Sequence, residues 1–135
     1  MFWKISDYVT VDGVNEVQDW LSVQEADVRP FLKNALFILE NRPNWGLPLV
    51  RFMEREHEGL VAIRLTMEER RSRPKRKYRP VGFIRSAGLL NEFVFLTGCL
   101  KLEQGRLLPP GTFDHALDLK RDCEQLKGGT DEHQH

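Results

Sequence analysis

Cysteine is scarce in this chain. Cys99 and Cys123 are the only two among 135 residues, too few for a disulfide framework and without metal-ligand spacing. The expectation is a cytoplasmic protein with reduced thiols. Long apolar runs are also missing; nothing approaches the ~20 residues of a membrane helix. The first residues, MFWKISDYVT, lack an apolar stretch flanked by basic residues and a small-residue cleavage site, so no signal peptide is expected. No Gly-rich phosphate loop, zinc spacing, paired-carboxylate motif or Ser/His/Asp arrangement can be recognised, and no metal or cofactor is expected. No internal repeat is visible.

Charge of one sign is missing only on average. Twenty basic residues offset twenty acidic ones, yet they are unevenly placed. Arg64 to Arg79 holds eight basic and two acidic residues, whereas Asp114 to His135 holds six acidic and three basic. A polyanion can therefore bind one segment of a neutral protein.

Periodicity sets out the elements. Residues 2–9, FWKISDYV, read as a strand, and 12–22 as a short helix carrying Val14, Val17, Trp20 and Leu21. Val28, Phe31, Leu32, Ala35, Leu36 and Leu39 form a full helical stripe over 27–41, with Asp27 as N-cap. Pro43 and Gly46 end that helix. Strands are predicted at 49–54, 59–68, 78–84 and 91–100, with turns at Glu58–Gly59 and Ala87–Gly88. EERRSRPKRK (68–77) reads as an extended, mobile hairpin tip. Thr112 caps a last helix over 113–126. The expectation is one α+β domain over 1–127 with a disordered tail, 128–135. Short connections favour an antiparallel sheet, with two N-terminal helices on one face and a C-terminal helix nearby. Phe93, Phe95 and Phe113 are assigned to the core, and Cys99 to a buried apolar position.

The middle of the chain resembles a known family. GLVAIR, YRPVGF, EFVFLTGCLK and PPGTFDHA before a final helix look like blocks of the RelE/ParE toxin superfamily, nearest its HigB-like, phage-derived branch. The resemblance spans roughly 12–125. It departs where Ala62 replaces the Glu usual before Leu-Arg, where Lys101–Leu102 replaces a lysine pair, where Pro80 follows Tyr78–Arg79, and in the neutral overall charge. What it implies is a RelE-like fold and the toxin of a type II toxin–antitoxin pair. Such a toxin is a ribosome-dependent messenger-RNA endonuclease (an mRNA interferase) that works through 2′-OH attack without a metal. Its partners would be a cognate antitoxin, the ribosome and messenger RNA. The alternatives are a catalytically eroded RNA- or protein-binding module on the same fold and a ParE-like gyrase inhibitor.

Metal-free RNA cleavage needs a base for the 2′-OH, cations for the extra charge on phosphorus, and an acid for the 5′-oxygen. Arg64 and Arg79, on strands expected to be adjacent, are the candidate phosphate clamp. Lys101 ends the last strand beside them and can stabilise the phosphorane or transfer a proton. His115, in the first turn of the last helix, is the candidate acid or base. Arg70, Arg71, Arg73, Lys75, Arg76 and Lys77 are candidate phosphate-backbone contacts, and Tyr78 a base-stacking residue. His57 lies before a turn with no evident partner, and His133 and His135 fall in the tail.

Overall fold

A computed structural model describes residues 2–71 and 73–135, and among these are eight strands and three α-helices. The class is α+β. β1 (Trp3–Val9) leads into α1 (Glu16–Ser22) and α2 (Val28–Glu40). β2 (Val50–Phe52), β3 (Val61–Ile63), β4 (Leu65–Met67), β5 (Arg76–Ala87) and β6 (Leu90–Lys101) follow. β7 (Leu107–Leu108), α3 (Thr112–Glu124) and β8 (Gly129–Glu132) complete the chain. The sheet runs β2-β3-β5-β6-β1-β8, with β4 added on β5 and β7 on β6.

The sheet is mixed rather than antiparallel, because β1 pairs with β6 in parallel. Two helices intervene between β1 and the rest of the sheet, and that length of chain permits the return a parallel neighbour requires. The predicted strand over 59–68 is divided into β3 and β4, with Arg64 between them.

Alternation sorts the strand residues between two cores. Trp3, Ile5, Ile63, Leu65, Tyr78, Phe93 and Phe95 pack against Val17 and Leu21 of α1 and the buried stripe of α2. Asn15 caps α1 by accepting a hydrogen bond from the Gln18 amide. On the opposite face Tyr8, Val81, Phe83, Val94 and Leu96 pack against Ala116, Leu119 and Cys123 of α3. Gly98 faces α1, where an added Cβ would collide with the Trp20 ring.

A bulge makes β6 serve both faces. Val81 pairs with Thr97, but the next pair is Gly82 with Phe95, so Leu96 is the extra residue. Beyond it the alternation is inverted. Leu100 joins the α1–α2 side, and Cys99 and Lys101 turn to the α3 side, opposite Arg79 and Lys77.

The tail expected to be disordered is instead a strand. β8 pairs antiparallel with the free edge of β1. His133 is buried, its Nδ1 2.7 Å from Asp7 Oδ1, and its ring lies 4.7 Å from that of Phe95. Asn15 and Gln18 also donate to Asp7, and the Tyr8 hydroxyl donates to the Lys127 carbonyl at 2.6 Å. A buried charge with this many partners offsets its own desolvation.

Candidate active site

Three of the cations singled out above meet on the α3 face of the sheet. Tyr78 faces α1, so Arg79 faces the other way, in line with Val81 and Phe83. Ile63 and Leu65 likewise face α2, which puts Arg64 on the α3 side. Arg64, Arg79 and Lys101 line one cleft of about 260 Å³. Its remaining walls are Arg51, Met53, His57, Ala62, Gly105, Leu107 and Phe113. No carboxylate is among them. The first turn of α3, through Phe113, borders the cleft, and the helix dipole adds to its positive potential.

Arg79 is buried, at 5% exposure. Its Nη1 donates to the Tyr78 carbonyl at 2.9 Å. Burial, then the nearby Arg64 and Arg51, push its guanidinium below the usual value, although arginine stays charged in proteins. Arg64 donates from Nη1 to the Pro48 carbonyl at 3.2 Å, and its amide donates to Leu49 at 2.8 Å, which holds the chain where the two strands part. Burial, followed by Arg79, Lys77, Arg51 and Arg64, lowers the Lys101 ammonium from its ordinary range. A cleft that depresses its own cations stores unfavourable charge, which an incoming anion relieves.

Two residues of this cleft escape a reading of the sequence. Arg51 stands opposite Ala62 on β2; alternation against Val50, which faces α2, is the available signal. His57 has a partner after all. Its Nε2 lies 2.9 Å from Asp114 Oδ1, and its ring lies 5.4 Å from that of Phe113. A carboxylate only accepts, so in the neutral ring this contact places the proton on Nε2 and leaves Nδ1 as an acceptor. The two residues are 57 apart in the chain, and no local pattern pairs them.

His115 is not part of the cleft wall. It points to α1, with Nε2 2.8 Å from Glu16 Oε2, because the α3 residue two places earlier is the one turned inward. Tyr78 cannot stack on a base. It is fully buried, edge-on to Trp20 at 6.3 Å between ring centres.

The basic run divides. Arg73 is buried and pairs with Glu25 and Asp27 in the α1–α2 connection, and Arg76 pairs with Glu25 at 3.1 Å. These two arginines tie the hairpin to the body, so the segment is not simply a mobile tip. Hydrogen bonding from Arg73 holds the Asp27 carboxyl below its usual range. Arg70, Arg71, Lys75 and Lys77 are exposed, and among the described residues none of them is ion-paired.

Cys99 is buried next to Arg79, and burial pushes its thiol up to about 11, which leaves it unreactive. Among the described residues no three His, Cys, Asp or Glu side chains gather as metal donors would, and no helix is long and apolar enough to cross a membrane. No protein-family model, no curated protein and no solved structure matches the chain.

Proposed function

We propose that the protein is an endoribonuclease toxin that cuts messenger RNA on the ribosome and is held in check by an antitoxin. The observation that supports this reading is the convergence of Arg51, Arg64, Arg79 and Lys101 on one cleft that also contains His57. In the proposed reaction the 2′-oxygen attacks the adjacent phosphorus and gives its proton to Nδ1 of His57. The arginines take the charge that builds on the phosphoryl oxygens. The Lys101 ammonium gives a proton to the departing 5′-oxygen. The products are a 2′,3′-cyclic phosphate and a 5′-hydroxyl. Asp114 orients His57 and stabilises the imidazolium formed.

A second reading is favoured by Ala62, whose methyl lies in the cleft where the resembled family carries a carboxylate. It is a binding module that keeps the phosphate clamp and has lost catalysis. Induced expression with mapping of RNA ends separates the two. Growth arrest with new 2′,3′-cyclic or 3′-phosphate ends in translated messages is the expected result. Intact messages would leave the binding module, and arrest with intact messages and cleaved chromosomal DNA would indicate a gyrase poison.

A further inference from the structure

The outer surface of α2 is apolar as well as its core stripe. Phe37 is 69% exposed, Ile38 45% and Phe31 40%. A cluster of this kind on a helix exterior marks an interaction surface. Phe31 and Ile38 are seven residues apart and share one flank of the helix. Lys33 and Glu40, also seven apart, share the other flank, and Phe37 stands between the two pairs. Both charges act on His135 at the end of the chain. Among the described residues neither Lys33 nor Glu40 forms an ion pair with it or with any other group.

This pattern is complementary to itself. A two-fold axis perpendicular to the helix turns α2 end for end and lays each flank against the same flank of the copy. Lys33 and Glu40 lie about 10.5 Å apart along the helix axis, and the point midway between them falls beside Phe37. An axis at that point brings Lys33 of each copy to Glu40 of the other. It sets the two Phe37 rings against one another and gathers Phe31 and Ile38 of both copies along the far flank. Every contact is then made twice, as an isologous interface requires.

We propose that the outer face of α2 is the interface of a homodimer, in which two α2 helices pack antiparallel about Phe37 and exchange Lys33–Glu40 ion pairs. Charge complementarity selects a second copy as the occupant. A partner of one charge sign, such as an acidic peptide or an anionic lipid surface, would meet Glu40 as well as Lys33, whereas a second copy satisfies both. The inference stands apart from the nuclease reading. α2 covers the sheet face opposite to α3, so the dimer leaves the cleft side of each copy uncovered.

The test is sedimentation equilibrium of the full chain. One helix pair is a small interface, so the dissociation constant is expected on the order of 10 μM, and the concentrations run from about tenfold below to about tenfold above it. The wild type should pass from monomer to dimer across that range. Phe37→Asp should abolish the dimer. Lys33→Glu and Glu40→Lys should each weaken it roughly tenfold or more, because either reversal sets like charges against one another on both sides of the two-fold axis. The two reversals combined should restore affinity to within about threefold of the wild type. None of the three side chains is buried, and thermal melts check that each variant keeps the fold. A wild type that stays monomeric at the highest concentration overturns the dimer and leaves the face to a partner of another kind. A dimer that survives Phe37→Asp uses another surface and overturns it equally. Single reversals without effect, or a double reversal that restores nothing, overturn the antiparallel pairing.

Discussion

Arg64 stands opposite Arg79. Ala62 pairs with Val81 and Leu65 with Tyr78, and this unbroken register leaves Arg64 facing Arg79 across the gap between β3 and β4. Two like charges in direct cross-strand relation weaken a sheet; at an anion site they form a clamp.

The first prediction follows from that relation. Arg79 is buried, and burial together with Arg64 and Arg51 disfavours its charge. Arg79→Met keeps most of the volume and removes the repulsion. Thermal stability should be unchanged or higher, as is common when a functional residue is replaced. RNA cleavage should fall about 100- to 1,000-fold, the loss of one oxyanion contact. A melt and a single-turnover assay on the same preparation check both halves.

His57 and His115 should separate cleanly. His57→Gln is expected to reduce cleavage roughly 100- to 10,000-fold, the range for one general acid–base group, with RNA affinity nearly unchanged. His115→Gln should leave the rate within a few-fold, because its ring contacts Glu16 of α1 and lies outside the cleft wall. Single-turnover rates and binding of an uncleavable RNA, measured for both variants, decide the matter.

Lys101 should set an alkaline limit to the proposed cleavage. Its ammonium is lowered by burial and by Arg79, Lys77, Arg51 and Arg64, so it loses its proton at a lower pH than an ordinary lysine. If it protonates the leaving oxygen, the cleavage rate should fall on the alkaline side, beginning below the usual lysine value of ~10.4. Lys101→Arg should remove that limb, because arginine does not titrate in this range. A rate profile from about pH 6 to about pH 11, bracketing that value, is the measurement.

The C-terminal strand should depend on Asp7. Burial alone would raise its carboxyl, yet hydrogen bonding and charge from His133, with hydrogen bonds from Asn15 and Gln18, bring it below its usual value. A depressed folded-state pKa contributes stability that is present above the unfolded value of ~3.9 and lost as pH falls through the folded one. Glu92, desolvated but held by Arg85 and Ser6, acts in the same direction. Stability should therefore decline below about pH 4. Asp7→Asn replaces the charged acceptor shared by His133, Asn15 and Gln18 with a neutral amide and should cost about 1.5–3 kcal/mol. The amides of β8 should lose hydrogen-exchange protection first. Equal protection of 129–133 in the variant and the wild type would show that strand pairing alone holds the tail.

What is legible in the sequence is whatever has a local period. The α2 stripe, the last helix and the strand near 91–100 are readable because burial of one face imposes spacing that no other structure satisfies. The tail escapes that reading because its composition carries no such period: Gly128–Gly129–Thr130–Asp131 has nothing apolar to bury. β8 exists through backbone pairing to β1 and one buried hydrogen bond to a residue 126 positions away. His57 with Asp114 and Arg73 with Glu25 and Asp27 are long-range in the same sense.

The sequence by itself determined an α+β chain with its positive charge concentrated in one segment, and it marked Arg64, Arg79 and Lys101 as candidates, because composition and short-range periodicity are properties of the chain alone. Only the tertiary structure decided which cations face one another. Simple alternation from Phe93 and Phe95 puts Lys101 on the α1–α2 side. The one-residue bulge at Leu96 turns it to the side of Arg79, since side chains alternate with a period of two and a single extra residue reverses every face beyond it.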